Sequence, residues 1–208
     1  MSESSLKEKT AKGLFWGGFS NGAQQLLNLA FGIVLGRLLD ASDYGMVGML
    51  TIFSAIASAL QEGGFVSALT NRKEVCHKDY NAVFWFSMLC SIIIYILLFL
   101  AAPLIAGFYQ TPELVPLSRF SFLGFVIASM SIAPRAYLFK NLKIKETTII
   151  SISSLGISGT VGILLAANGF AYWGMATQSI TFVTVMTVLN FYFSRWKPKL
   201  EFDFRPIR

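Results

Sequence analysis

The amino-acid sequence predicts an all-α integral membrane protein, a six-transmembrane-helix bundle. Of its 208 residues, 54% are hydrophobic and only 13% are charged, whereas soluble domains carry roughly a quarter charged residues. The apolar residues form six long runs, and a helix that crosses a bilayer needs about 20 of them. Fifteen of the 17 Lys and Arg residues lie in alternate gaps between the runs. Cytoplasmic loops carry that excess, so both chain ends are predicted to be cytoplasmic.

The first three predicted spans cover residues 14–39, 44–69 and 80–108. The first span is too long for the core of a signal peptide and lacks a clear cleavage site, so we expect it to be retained. A short turn leads to the second span, and a basic loop leads from the second to the third. The third span begins near Tyr80 and Trp85, whose rings are of the kind that prefers the membrane interface.

The last three predicted spans cover residues 114–138, 147–168 and 171–194. Together the six spans form one domain, residues 1–194. Residues 195–208 contain five Lys and Arg residues, so they are predicted to form a cytoplasmic tail. The turns on the far side of the membrane are predicted at residues 40–43, 110–113 and 168–170.

The composition argues against several functional classes. The net charge is +6, but the basic residues lie beside apolar spans, which favours anionic membrane lipids over nucleic acid as the partner. Cys76 is predicted in a cytoplasmic loop and Cys90 within a span, so a structural disulfide is not expected. With His77 as the sole histidine, neither a metal-ligand cluster nor a Ser-His-Asp set is expected. The phosphate loop G-x-x-x-x-G-K-[ST] is missing, so we expect no catalytic site and no cofactor.

Four amide side chains in the first span are the leading candidates for substrate binding. At 100° per residue they occupy an arc of about 100° on one helix face. Amides facing lipid would leave donors and acceptors unpaired, so this face must meet protein or water. Two interpretations stay open: the wall of a hydrated cavity, or hydrogen bonding between helices that only holds the bundle together. The four residues are Asn21, Gln24, Gln25 and Asn28.

Glu62 is a second candidate, because a carboxylate within a membrane often belongs to an ion, proton or substrate path. At 100° per residue, Glu62 shares a face of the second span with Thr51, Ser54 and Ser58. The alternatives are that Gly63 and Gly64 break the helix and let Glu62 reach water, or that Glu62 pairs with Arg135.

Arg119 and Arg135, near the two ends of the fourth span, complete the candidates. Guanidinium groups suit bidentate binding of phosphate, and either residue could serve an anionic lipid-linked cargo. Both could equally extend to the interface and bind nothing specific.

Small residues in two spans predict close helix packing. They are Gly32 and Gly36 in the first span, and Ser151, Ser154, Ser158 and Gly162 in the fifth. Asp40 and Asp43 form a D-x-x-D pair, which resembles the paired acids of some glycosyltransferases. We do not expect that activity, because so short a turn offers no nucleotide-binding domain.

Five strings in the sequence resemble one known family. GRLLDASDYGMVG (36–48) resembles its "RLL-x-x-x-D-[FY]-G" signature after the first helix. EGGFVSALTNRKEV (62–75) resembles the end of its second helix, and HKDYNAVFWFSML (77–89) its Asn-x-x-Phe-Trp start of the third. LIAGFYQTPEL (104–114) is similar to its Phe-Tyr-x-x-Pro turn, and ANGFAYWGMATQ (167–178) to the opening of its sixth helix.

The family is the bacterial polysaccharide transporter (O-antigen, capsule or lipopolysaccharide flippase) branch of the multidrug/oligosaccharidyl-lipid/polysaccharide exporter superfamily. The resemblance implies translocation of an undecaprenyl-pyrophosphate-linked oligosaccharide across the inner membrane by alternating access. Two six-helix lobes would enclose the cavity, with H+ or Na+ as a possible coupling ion. This sequence departs from the pattern at Glu62, where Asp is commoner, and at Gly63. It also carries only one lobe's worth of helices, so we expect a fragment, a truncated reading frame or a half-transporter that needs a second lobe.

Two other functions compete with this one. A multidrug/cation antiporter or lipid II flippase of the same superfamily would share the fold. A non-transporting membrane scaffold subunit would need the small residues of the first span but not its amides.

Overall fold

The computed structural model describes residues 3–62 and 77–198, with side chains for 15–59 and 77–198. This part of the chain forms six helices in sequence order. They are α1 (Glu3–Leu38), α2 (Ala41–Glu62), α3 (His77–Phe108), α4 (Leu114–Lys140), α5 (Ile144–Ala167) and α6 (Ala171–Ser194). From α3 onward, each helix begins and ends within three residues of its predicted span. α1 begins eleven residues before its span, and the predicted end of the second span, 63–69, lies outside the described residues.

Three of these helices, α3, α4 and α5, are long and apolar enough to cross a membrane. The all-helical fold is therefore confirmed for the described residues, while six spans stay a prediction. α1 and α6 are less apolar because α1 carries four amides and α6 carries four threonines, Gln178 and Asn190. At about 1.5 Å per residue, the 24 residues of α6 extend about 36 Å, more than the roughly 30 Å hydrocarbon core.

α4 lies at the centre of the bundle. It packs extensively against α3 on one side and α6 on the other, and α2 touches α4, α6 and α3. α5 packs against α6, and α1 packs against α5. Apolar contacts at one end of the bundle are organised around Leu50, Leu114, Leu117 and Phe122.

A second cluster fixes the segment that follows α6. Arg195 adopts a left-handed conformation (φ 54°) at the end of α6, and Trp196 is 5% exposed. The Trp196 ring lies 5.5 Å from Phe84 and 5.7 Å from His77, centroid to centroid. The segment therefore turns back onto the beginning of α3.

The turns after α3, α4 and α5 have the same hydrogen-bond pattern. Each ends in a left-handed residue, namely Gln110 (φ 54°), Leu142 (φ 52°) and Gly169 (φ 83°). The next residue donates its N–H back to a carbonyl five positions earlier, at 3.0 Å from Thr111 to Ala106 and from Lys143 to Leu138, and at 3.1 Å from Phe170 to Leu165. This Schellman geometry occupies carbonyls that the helix end would leave unpaired.

The acidic pair of the first turn has a structural role. The Asp40 N–H donates to Asp43 Oδ2 at 3.1 Å, and α2 begins at Ala41. A side chain that reaches back from the third helical residue to the preceding N–H is half of a capping box. Asp40 and Asp43 therefore begin α2.

Small residues bring α5 close to α6. A Cβ added at Gly162 would lie 2.9 Å from Gln178 Cβ, and one at Gly174 would lie 3.1 Å from Ala166 N. Ser154, Ser158 and Gly162 are buried, which confirms the packing predicted for them, whereas Ser151 is only half-buried.

The packing predicted for Gly32 and Gly36 is wrong for the described helices. Among the described atoms, none lies within 4 Å of a Cβ built at Gly32, and only Tyr44 Oη reaches that distance at Gly36. α1 instead contacts α5 through Phe31, whose ring fills the space above Gly159. Leu35 of α1 and Leu39, just after the helix, are buried beside Ala166. The contacting face is thus rotated by one residue from the predicted one.

Candidate functional site

The amide face of α1 is largely unpartnered in the described part of the chain. Asn21, Gln25 and Asn28 are exposed. Gln24 is half-buried, and its Nε2 donates to Ser20 Oγ at 2.9 Å and to Ser20 O at 3.2 Å. One amide therefore donates within its own helix, whereas three present their donors and acceptors outward.

A second exposed face of α1 is apolar. Phe15, Leu26, Leu29 and Ile33 are 69%, 69%, 62% and 51% exposed. At 100° per residue, their mean direction is about 125° from that of the amides. The third face contacts α5, where Thr148 Oγ1 donates to Trp16 O at 3.3 Å. α1 therefore contacts protein on one side, presents an apolar face suited to lipid on another, and exposes Asn21, Gln25 and Asn28 beside its protein contact, where water or a polar ligand could reach them.

The α2 candidates lie at the limit of the described residues. Glu62 is the last residue of α2, and its side chain lies outside the described set, as do Gly63 and Gly64. Of the polar residues on its face, Thr51 is exposed and its Oγ1 donates to Gly48 O at 2.6 Å. The predicted alternatives for Glu62 therefore stay predictions.

Arg119 is half-buried between α4 and α3. Its Cζ lies 4.1 Å from the centroid of the Phe99 ring. Its Nε is buried and has no hydrogen-bond partner among the described residues. The guanidinium group thus packs on an aromatic face, but its Nε–H donor has no acceptor among the described residues.

Arg135 is exposed and follows Pro134 within α4. Because 16 residues separate it from Arg119, the two lie about 24 Å apart along the helix and about 160° apart around it. The structure does not bring the two arginines together, and they cannot bind the same phosphate group.

Several buried polar contacts were not predicted. Ser91 Oγ donates to Ser129 Oγ at 2.8 Å, which joins α3 to α4. Thr187 Oγ1 donates to Ile127 O at 3.1 Å, which joins α6 to α4. Asn190, 1% exposed, donates to Met186 O of its own helix at 2.9 Å. An amide in an apolar span was the available signal for Asn190, as it was for Gln178 on the same helix; the serines are too common in spans to be distinguished.

The described residues contain no group of three or more His, Cys, Asp or Glu side chains able to hold a metal ion. The polar chemistry that they offer is neutral amide and cationic guanidinium, which suit hydrogen bonding to hydroxyl groups and phosphates.

Comparison with known proteins gives one family and several relatives. A family model described as "Polysaccharide biosynthesis protein" matches residues 34–208. The lipopolysaccharide biosynthesis protein WzxC of Escherichia coli (strain K12) is 27% identical over 205 residues, covering 96% of this chain and 41% of its own length. The teichuronic acid biosynthesis protein TuaB of Bacillus subtilis (strain 168) is 26% identical, covering 98% and 43%.

A third relative is the succinoglycan biosynthesis transport protein ExoT of Rhizobium meliloti (strain 1021), 22% identical over 84% of this chain and 35% of its own. The chain therefore spans about two fifths of the length of the curated relatives that it matches. No solved structure shows a significant match.

Proposed function

Because the chain belongs to the polysaccharide biosynthesis protein family, we propose that it is one six-helix lobe of a transporter for lipid-linked oligosaccharides. In this proposal the lobe lies in the bacterial inner membrane with both ends in the cytoplasm. It acts by alternating access, without making or breaking covalent bonds. The names of the relatives, which concern lipopolysaccharide, teichuronic acid and succinoglycan biosynthesis, support a surface polysaccharide as the substrate class.

The observation that carries the proposal is the unpartnered amide face of α1. Asn21, Gln25 and Asn28 are exposed, and amides in contact with lipid tails would be unsatisfied. A sugar chain offers many hydroxyl groups, and an amide both donates to and accepts from them. We propose that this face lines a hydrated cavity that receives the oligosaccharide.

A second six-helix lobe would form the opposite wall. The share of the relatives' length that this chain spans, 41% and 43%, is compatible with one of two such lobes. Arg135, exposed on α4, would meet the pyrophosphate of the cargo, and Glu62 would respond to a coupling ion, H+ or Na+.

Cysteine labelling tests the cavity wall. In a background with Cys76 and Cys90 replaced by serine, single cysteines are placed at Asn21, Gln25 and Asn28. A membrane-impermeant maleimide should label these positions in intact or opened cells. Matched controls at Leu26, Leu29 and Ile33, on the apolar face of the same helix, should stay unlabelled. Equal labelling of both faces, or none at the amide positions, would contradict the cavity.

Genetics tests the substrate. Deleting the gene should abolish a surface polysaccharide and accumulate its lipid-linked precursor in the inner leaflet. The wild-type gene should restore export, whereas one with Asn21, Gln25 and Asn28 changed to leucine should not. Drug efflux without a glycan defect would favour the antiporter. Normal polysaccharide with the triple variant would favour a scaffold.

A further inference from the structure

Arg119 lies on a face of α4 that the proposed cavity does not use. Leu123, one turn further along the same face, is 39% exposed, and Leu100, next to Phe99 on α3, is 65% exposed. The seam between α3 and α4 at Arg119 is therefore flanked by exposed apolar side chains, as expected of a surface in contact with lipid tails.

The depth of Arg119 suits an interfacial group. It is five residues from the start of α4 at Leu114, or about 7.5 Å along the helix axis. The rings of Phe108 and Tyr109 lie at the same end of the bundle, 5.1 Å apart. Aromatic rings mark the boundary between hydrocarbon and headgroups, so an arginine side chain at this depth reaches the level of lipid phosphates.

The guanidinium group is preorganised. Phe99 supports it from one side at 4.1 Å, and Tyr95 lies 5.9 Å from Phe99, centroid to centroid. A ring beneath a guanidinium restricts its rotation without using its N–H donors. The donors are then free to bind an anion in the guanidinium plane.

The buried Nε demands an acceptor. It has no hydrogen-bond partner among the described residues, and a buried charged donor without one is costly. Because Nε is sealed from solvent, a phosphate oxygen would reach it after the Arg119 side chain shifts outward, and the phosphate would then satisfy Nε and a terminal N–H together in the bidentate geometry that arginine favours.

We propose that Arg119 and Phe99 form a binding site for the phosphate of a membrane lipid, in the seam between α3 and α4. The ligand is a phosphate ester anion carried on a lipid. It enters from the bilayer at the end of the bundle that bears the α3–α4 turn. The source is either a phospholipid headgroup or the pyrophosphate of a polyprenyl carrier. The site is separate from the proposed cavity and does not depend on it.

Native mass spectrometry of the full chain, titrated with phosphatidylglycerol or with undecaprenyl pyrophosphate, tests the site. Arg119→Gln should weaken retention of one lipid about tenfold or more, because it removes a charge-assisted bidentate pair. Phe99→Leu, which keeps the arginine, should weaken it about threefold through loss of the ring contact. Arg119→Lys should fall between wild type and Arg119→Gln, since it keeps the charge but not the fork.

Arg37→Gln is the matched control. Arg37 is exposed in the last turn of α1, at the same end of the bundle, and should leave retention unchanged. A tenfold loss with phosphatidylglycerol assigns the site to phospholipid, and one confined to undecaprenyl pyrophosphate assigns it to the carrier. Unchanged retention with Arg119→Gln, or an equal loss with Arg37→Gln, would overturn the proposal. Neither readout depends on oligosaccharide export, so this proposal and the proposed function can fail separately.

Discussion

Two buried serines on α3 differ in whether their hydroxyl groups have a hydrogen-bond partner. Ser87 and Ser91 lie one turn apart and are 1% and 0% exposed. Ser91 donates to Ser129, which donates in turn to Val126 O at 2.7 Å. Ser87 Oγ has no hydrogen-bond partner in the described part of the chain. The cost of burying the Ser91 hydroxyl is therefore offset by a hydrogen bond, whereas the cost of burying the Ser87 hydroxyl is not.

Replacing each serine by alanine should change the free energy of unfolding differently at the two positions. Ser91→Ala should lower the free energy of unfolding by about 0.6 kcal/mol, the mean value for hydrogen bonds between membrane helices. Ser87→Ala should leave it unchanged or raise it, because an unpaired buried hydroxyl is removed. Unfolding by SDS titration, followed by circular dichroism, measures both. A greater loss for Ser87→Ala than for Ser91→Ala would contradict the assigned contacts.

The contact made by Arg119 could not be predicted from the sequence, unlike the amide face of α1. The amide arc of α1 followed from 100° per residue alone, because all four residues lie on one helix. The contact of Arg119 with Phe99 joins two helices, and their relative register is not determined by hydrophobic pattern. The hydrogen bond from Gln24 to Ser20, four residues apart on α1, was not predicted for a different reason: helical geometry places the two side chains close together but does not select the rotamer that joins them.

At the level of elements, helix ends were predictable and helix faces less so. Each apolar run stops at a polar or left-handed turn residue, which fixes the ends of α3 to α6. α1 extends back to Glu3 because a helix can continue through charged helix-forming residues beyond the apolar run. The face by which α1 packs was mistaken because Gly32 and Gly36 are only one position from Phe31 and Leu35, and one residue turns the helix by 100°.

Because α5 and α6 approach closely at Gly162, adding one methyl group there should destabilise the protein. Gly162→Ala would place its Cβ 2.9 Å from Gln178 Cβ, so the helices must separate, at about 1–3 kcal/mol. Gly156→Ala, on the same helix with no described atom within 4 Å of its Cβ, should be neutral or stabilising. Thermal unfolding in detergent compares the two, and equal melting temperatures would contradict the packing.

The turn after α4 predicts a stabilising substitution. Leu142 is 71% exposed and adopts φ 52°, a conformation that costs a residue with a Cβ roughly 1 kcal/mol. Leu142→Gly should therefore raise the free energy of unfolding by about 0.5–1 kcal/mol. Gly169→Ala, at the matching position after α5, should lower it by a similar amount. Destabilisation by Leu142→Gly, measured by the same SDS titration, would contradict this account.

At the level of the whole molecule, the alternation of basic gaps predicts the topology. Alkaline phosphatase fused after residues 40, 110 or 169 should be active, since these turns are predicted to lie outside the cytoplasm. Green fluorescent protein fused after residues 142 or 198 should fluoresce, because it folds in the cytoplasm. Phosphatase activity after residue 142 would contradict six spans with both ends inside.

The family, too, was accessible from the sequence. The ordered strings from 36–48 to 167–178 indicated it, and the family match to residues 34–208 confirms that resemblance. The amides of α1 lie before residue 34, outside the matched range, so the family alone could not identify them. Their candidacy comes from helical geometry.

The hydrogen bond from Thr148 to Trp16 spans 132 residues, which has a consequence for synthesis. A chain grows at about 5–20 residues per second, so α1 leaves the ribosome roughly 7 to 26 seconds before the α5 residue that it contacts. During that interval its contact face on α5 does not yet exist. α1 thus reaches its final packing only after α5 has been made, and until then its contact face must meet lipid, the insertion machinery or the helices made in between.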